Sequence, residues 1–349
     1  MQTEVLIIGG GQAGLAASYY LQQSRISSII LDRNDAIGDE WRNRYDSLTL
    51  FTPRAYSQLP GMKLPGDPDQ FAGKNEIADA LQQYASHNDL SIRSGTEVVY
   101  LSQERGGFTA HTNRGDFSAR QVIIATGPFQ KPNIPVFSRQ LDPNVTQLHS
   151  AAYRNPSDLG SGTVLVVGSG NSGAQIAVEL ARSHRVFVAT GHRLTHLPLE
   201  VAGKSIFWWF DKLGILNAPS ESWLSRRIRR RPDPIFGLDF KRLVKSGHIM
   251  LTNKANHAAG RNVFFADGTS LAVDHVVWAT GFRSDYGWLN VPEALDGDGK
   301  PIHRRGVSPV EGLYYVGLPW QSSRNSALLG GVGRDAEIIV KHITNKIRS

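Results

Sequence analysis

The chain has 349 residues, 40% hydrophobic and 20% charged, enough for a sizeable core and for two domains of ordinary size. It contains no cysteine, which excludes disulfides, thiolate metal sites, cysteine nucleophiles and redox dithiols together and is compatible with a reducing cytoplasm. The formal net charge of +7 suits anionic partners, and two bound dinucleotides would supply several negative charges.

Met1-Gln2-Thr3-Glu4 runs directly into an apolar stretch, without a basic leader or a small-residue cleavage site, so no signal peptide is expected. No run of ~18 uncharged apolar residues occurs, so no membrane span is expected, and the expected location is the cytoplasm. Leu6-Ile7-Ile8 reads as a buried parallel strand. Gly9, Gly11 and Gly14 then form a G-x-G-x-x-G turn into a helical pattern, with Gln12 and Ala13 between the last two glycines. The first glycine permits the tight turn, the second lets a pyrophosphate approach, and the third lets helix and strand pack closely. A second strand is expected at Ser28–Leu31, ending on Asp32 and Arg33. An acid at that place binds ribose hydroxyls.

The unit repeats. Val5–Leu21 (VLIIGGGQAGLAASYYL) is matched by Val164–Leu180 (VLVVGSGNSGAQIAVEL), and Val122–Gly127 (VIIATG) by Val276–Gly281 (VVWATG). Ala125, Thr126 and Gly127, and likewise Ala279, Thr280 and Gly281, are assigned to the cofactor sites. The second fingerprint comprises Gly168, Gly170 and Gly173 with Ser169, Asn171 and Ser172. Its next strand, Val186–Ala189, ends in Thr190-Gly191-His192-Arg193 with no acid. Arg193, with Thr190 and His192, therefore suits the 2′-phosphate of NADPH; a merely solvated Arg193 is the plainer alternative.

The expected fold is α/β, with two Rossmann-like dinucleotide-binding domains and the NADPH domain inserted into the FAD domain. The expected boundaries are 1–139 and 271–349 for the FAD domain and 140–270 for the insert, which itself carries an extra segment at 198–240. Asp267-Gly268 reads as a hairpin turn before a return strand. Phe207-Trp208-Trp209-Phe210 and the arginine-rich Arg226–Arg231 lie in the extra segment. The plain reading packs the aromatics inward and solvates the arginines; peripheral membrane contact through 205–231, or a lid over the substrate, are the alternatives. No stacking-aromatic array points to nucleic acid, and no H-E-x-x-H or calcium loop points to a metal. Near the C-terminus, Ser326-Ala327-Leu328-Leu329 opens a helical pattern that runs to Ile347, whose N-terminus would face a flavin.

These motifs, over nearly the whole chain, resemble the class B flavoprotein monooxygenases: flavin-containing, Baeyer–Villiger, N-hydroxylating and YUCCA-type enzymes, and most of all their short bacterial members. Ile37-Gly38-Asp39-Glu40-Trp41 resembles the family's G-G-x-W segment, with Asp39 in place of a glycine, and Arg44-Tyr45 its R-Y pair. Leu48–Gly61 resembles the segment passing beside the flavin. His149-Ser150 to Tyr153 resembles the end of the F-x-G-x-x-x-H-S-x-x-Y signature, its opening stretched back to Phe137. Arg304–Val307 and Gly312–Gly317 resemble the return to the FAD domain.

The resemblance implies FAD contacts at Trp41, Arg42, Thr52, Gln58, Val98, Ser326 and Leu329, and places Phe51 and His149 beside the chemistry. It implies hydride transfer from NADPH to FAD, then insertion of one oxygen of O2 into a small nucleophilic substrate bearing sulfur, nitrogen or a ketone. Phe51 stands where relatives have a polar residue, which implies partial uncoupling. An NADPH oxidase, or a flavin-dependent NADPH:quinone or acceptor reductase, is the rival reading. A non-catalytic dinucleotide sensor is the rival of another class.

Overall fold

The computed structural model describes residues 1–104 and 106–348. Its two main sheets grow from the two repeated apolar runs. Val5, Leu6 and Ile7 are fully buried, as a strand covered on both faces must be. β1 (Gln2–Ile8) turns through the glycines into α1 (Gln12–Gln23), and β2 (Ser28–Leu31) returns parallel to it with Ile8 opposite Leu31. β3 (Thr49–Pro53) pairs with Phe71–Gly73 outside this sheet. β4 (Gly115–Ile124) lies parallel on the other side of β1, with Ile124 opposite Ile8, and a meander through Val98–Glu104 and Gly107–Thr112 widens the sheet.

The chain then builds a second, all-parallel sheet. β5 (Thr146–His149) is followed by β6 (Thr163–Val167), the crossover helix α2 (Asn171–Leu180) and β7 (Arg185–Ala189). Two short helices come next, α3 (Ile206–Lys212) and α4 (Trp223–Arg229), each N-capped by a serine hydroxyl that accepts from a backbone amide. β8 (Ile249–Thr252) and β9 (His275–Trp278) complete the order β5-β9-β6-β7-β8. The chain rejoins the first sheet at Leu289–Asn290 and at β10 (Leu313–Tyr315), which pairs with β4. The final helix, α5 (Leu329–Arg348), packs Val332, Ala336, Ile339 and Ile343 into the same core as Leu15 and Ala16 of α1.

β9 corrects the expected limit of the inserted segment at residue 270. His275, Val276, Val277 and Trp278 are all buried and need cover on both faces, which the centre of the second sheet provides between β5 and β6. The second sheet therefore runs from 146 to 278 before the chain crosses back. The Asp267-Gly268 turn does join an antiparallel pair, Asn262–Phe265 with Ser270–Ala272. The two crossover segments run side by side, Lys131–Pro132 pairing antiparallel with Phe282–Arg283. No helix among the described residues is long and apolar enough to cross a membrane.

Candidate active site

The two glycine turns have the same construction. Gly9 sits at φ +109° and Gly168 at +105°, backbone that L side chains rarely adopt. A Cβ on Gly9 would press on the Ala125 carbonyl, and one on Gly168 on the Ala279 carbonyl. Each ATG turn is thus seated against its own glycine turn, Ala125 N–H donating to Ile8 O at 2.8 Å and Ala279 N–H to Val167 O at 2.8 Å. A Cβ on Gly14 would overlap the Gly9 carbonyl oxygen, and one on Gly173 that of Gly168, which is why helix and strand approach so closely. Gly11 and Gly170 are the opposite case. A Cβ on either would meet no atom within 4 Å, so open space faces the first amides of α1 and α2.

Around the first turn lies a cleft of about 730 Å³. Gly9, Gly11, Gln12 and Ala13 form one wall, together with Ala125, Thr126 and Gly127. Asp32, Arg33, Trp41 and Val98 form another. The Asp32 carboxylate is 9% exposed and accepts from the Gly10 amide through one oxygen and the Asn34 amide (2.7 Å) through the other. Each oxygen keeps a lone pair for a hydroxyl donor. A Cβ on Gly10 would strike Asp32 and Ile37, so this middle glycine, absent from the sequence expectations, is what lets the carboxylate lie against the turn.

Phe51 and Thr52 of β3 and Leu329 of α5 also line the cleft. Phe51 stacks on Phe236 at 4.6 Å between centroids and on Phe207 at 6.0 Å. Phe207, Phe210 and Phe236 thus bring the extra segment into the same cleft, while Trp208 and Trp209, also expected to pack inward, stay half-buried outside its lining. Gln12 ties α1 to the start of α5, its Nε2 donating to Ala327 O at 3.0 Å. Gly330, Gly331 and Gly333 let that helix pack on Tyr56, Asn325 and Pro60, where Cβ atoms would collide.

Four of the residues expected at the first site lie outside this lining. Gly14 is buried within α1, on the side packed against the Gly9 carbonyl. Arg42 turns away and donates to Ile37 O, Asp79 and Gln82. Ser326 is buried in a turn, its hydroxyl oxygen accepting from the amides of Ser322 and Ser323 at 3.0 Å each. Gln58 stands outside the walls just after the turn Arg54–Tyr56. Two residues on from Arg42, Arg44 does reach the cleft, its guanidinium lying over Phe129 (5.0 Å) and Phe282 (5.1 Å).

Of the second fingerprint, Asn171 and Ser172 reach this cleft. Asn171 also anchors the extra segment, donating to Pro234 O and accepting from the Phe236 amide at 2.8 Å. Gly168, Ser169 and Gly170 open beside the end of β7, where the Ser169 hydroxyl donates to Thr190 Oγ1 at 2.9 Å. His192 and Arg193 are exposed there, and the Arg193 guanidinium has no ion pair among the described residues. Lys254 is also exposed, its side chain 3.6 Å from the place a Gly191 Cβ would take. It comes from the turn after β8, and nothing in the local sequence marks it.

His149 is buried and fully engaged. Its Nδ1 accepts from the Ala151 amide at 3.1 Å, which fixes the proton on Nε2, donating to Gly281 O at 2.9 Å. Burial holds its pKa below the ordinary histidine value. The histidine therefore fastens the second ATG turn to β5. Asn133 continues that bracing: its amide donates to Gly281 O at 2.9 Å, and its carbonyl accepts from the Thr280 hydroxyl. Gln130 links Thr126 (2.9 Å) to the Asp285 amide, and Lys131 pairs with Asp285 at 2.6 Å. The two ATG turns are held together through these linker residues. Tyr45 adds a brace from the first segment to α2, donating to Gln175 at 2.8 Å, and its burial pushes the phenol up to about 12. No group of three metal-ligating side chains occurs among the described residues.

Two glycine turns of one build, each with open space before a helix, define a dinucleotide-handling oxidoreductase. The chain belongs to the pyridine nucleotide-disulphide oxidoreductase family, matched over residues 6–197, and is similar to flavoprotein monooxygenases. With no cysteine, it has no dithiol for the disulfide chemistry in the family's description. It is 52% identical to an uncharacterized oxidoreductase, CzcO-like, of Geobacillus kaustophilus, over 98% of each chain. It is 26% identical to the indole-3-pyruvate monooxygenase YUCCA1 of Oryza sativa, over 97% of this chain and 90% of that one. Among solved structures it resembles the flavin-containing monooxygenase of Stenotrophomonas maltophilia, at 27% identity and a TM-score of 0.83 over 99% of both chains.

Proposed function

We propose that the protein is an FAD-dependent, NADPH-using monooxygenase acting on a small nucleophilic substrate, with part of its electron flow ending as hydrogen peroxide. The observation that carries this reading is the paired open space at Gly11 and Gly170, since each turn offers helix amides to a pyrophosphate with no side chain in the way. In this reading the first sheet, with its return segment, is the FAD domain, and the second sheet is the inserted NADPH domain.

FAD fits the first site. Asp32 has lone pairs free for ribose hydroxyls, and the cleft continues from there to β3 and the start of α5. NADPH fits the second, where β7 ends without an acid and Arg193 and Lys254 stand unpaired among the described residues. Bound together, the two cofactors supply the redox chemistry: NADPH gives a hydride, and O2 gives one oxygen atom to the substrate and one to water. The protein's own part is to hold and shield. Gln130, Asn133 and His149 fix the two ATG turns relative to each other, so we assign His149 a positioning role. Phe51, Phe207 and Phe236 form an apolar wall that keeps water from the cleft. The rice relative's name as a monooxygenase supports oxygen transfer.

Phe51 also favours the second reading, an NADPH oxidase or acceptor reductase, because its ring offers no hydrogen bond to an oxygen intermediate. One experiment separates them. The yellow protein is mixed with NADPH without air, then with air and a small thioether. Bleaching followed by sulfoxide formation supports the monooxygenase. Bleaching followed by peroxide alone, over a broad panel of thioethers, amines and ketones, gives the oxidase. Protein that neither retains FAD nor bleaches refutes both.

A further inference from the structure

We propose that the exposed face of α4 docks on an anionic phospholipid bilayer. The helix is short, and its N-terminus is capped by Ser222, whose hydroxyl accepts from the Ser225 amide at 3.2 Å. Its inner side is fixed to the protein: Ser225 is 1% exposed and donates to Ala218 O at 3.3 Å, while Leu224 and Ile228 are half-buried. Trp223, Arg226, Arg227 and Arg230 follow at spacings of three, four and seven residues, which sets them on one helical face. All four are exposed, and Trp223, at 72%, is more exposed than any other large aromatic side chain described.

Among the described residues, this face has no partner in the fold. Among the described residues, none of Arg226, Arg227, Arg229, Arg230 and Arg231 forms an ion pair. The nearest acids in sequence lie outside the face: Glu221 precedes the helix, and Asp233 is taken by Arg324 at 3.1 Å. Five like charges within six residues repel one another, and an exposed indole gains nothing from water. Both are satisfied at a lipid surface, where guanidiniums meet phosphates and tryptophan lies at headgroup depth. Leu213, 67% exposed, and Val201, 41% exposed, add apolar surface to the same extra segment. A nucleic-acid groove would instead call for several stacking aromatics, and this face has one.

The helix is coupled to the cleft. The Ser220 amide donates to Ser322 O at 2.7 Å, and Pro219 bridges to Ser323. The segment that follows carries Arg324 and Asn325, which line the cleft. Docking through α4 would bring the rim of the cleft to the bilayer, within reach of apolar molecules dissolved there.

The test is co-sedimentation of the full-length flavin-loaded protein with two kinds of vesicle, pure phosphatidylcholine and phosphatidylcholine with a quarter phosphatidylglycerol. The expected result is binding to the anionic vesicles alone, weakened by salt, with brominated lipid quenching tryptophan fluorescence. The triple variant Arg226→Gln, Arg227→Gln, Arg230→Gln should lose on the order of a hundredfold in vesicle partitioning. Trp223→Ser should lose the quenching. Retained flavin and an unchanged Tm certify the fold of both. Equal binding to the two vesicles, no binding to either, or full binding by the triple variant would overturn the proposal. So would binding to duplex DNA at the same salt with the vesicles left unbound.

Discussion

The choice between NADPH and NADH should rest on two cations from different parts of the chain. Arg193 follows β7, Lys254 follows β8, and both stand at the open end of β7 with no carboxylate paired to them among the described residues. A charge-assisted hydrogen bond to phosphate is worth roughly 1.5–3 kcal/mol. Both side chains are exposed, so solvent screening reduces this to about 1–2 kcal/mol for the better-placed partner. That is a factor of about 5–30 in affinity. Arg193→Ala should therefore raise the KM for NADPH about tenfold and leave the KM for NADH within about twofold. Lys254, a point charge without the guanidinium fork, should give about threefold when changed to Ala, and the double variant roughly the product. Because the 2′-phosphate takes no part in hydride transfer, kcat should stay near the native value with either cofactor. The assay is steady-state NADPH and NADH oxidation by the four proteins. Equal losses with both cofactors would show that these side chains hold the turn rather than read the phosphate. No loss with either would show that the phosphate lies elsewhere.

Gly14→Ala should yield protein with little bound flavin, because the added methyl meets the Gly9 carbonyl and forces α1 away from β1; the ratio of visible to ultraviolet absorbance reports it. Gly11→Ala makes the complementary case: its methyl meets no protein atom, so Tm should hold while flavin retention falls. Burial depresses the pKa of His149, so the unfolded chain takes up its proton first and stability is lost as pH falls below 6.5. A pH series of Tm should show that loss in the native protein and a shallower one in His149→Gln. Phe51→Asn should lower Tm, since a stacked aromatic pair is worth about 1 kcal/mol. It should also lower the sulfoxide formed per NADPH consumed, measured by chromatography against peroxide.

Much of the fold was legible because its signals are local. A turn at φ above +100° needs glycine, a strand covered on both faces needs an unbroken apolar run, and both requirements fall within a few residues of sequence. Thus Ser28–Leu31 is the second strand as read, and the two fingerprints open as expected. What escaped reading depends on distant segments meeting. Gln130 and Asn133 look like ordinary linker polars until the return segment lies against them. Lys254 acquires meaning only when β8 is laid beside β7. Arg42 and Arg44 are two residues apart, and sequence alone gave no reason to prefer Arg44 for the cleft. The limit at 270 failed for a related reason, since an apolar run shows that a strand is buried without showing in which sheet.

Phe51 illustrates how such a contact changes an interpretation. Read along the chain, it is the loss of a polar residue beside a flavin. In the fold, its ring lies 4.6 Å from Phe236 and 6.0 Å from Phe207, both from the extra segment. A polar amide at that position would be desolvated against two rings with no partner supplied, at a cost of about 1–3 kcal/mol. The substitution and the segment therefore form one device: the segment brings the rings, and Phe51 completes the apolar wall they make. A wall that excludes water and a site poor in hydrogen bonds act in opposite directions on coupling. With three rings in the wall and one hydrogen bond forgone, exclusion should prevail, and this is why Phe51→Asn is expected to lose product rather than gain it. A rise in sulfoxide per NADPH in that variant would reverse the ranking and make the forgone hydrogen bond the controlling term.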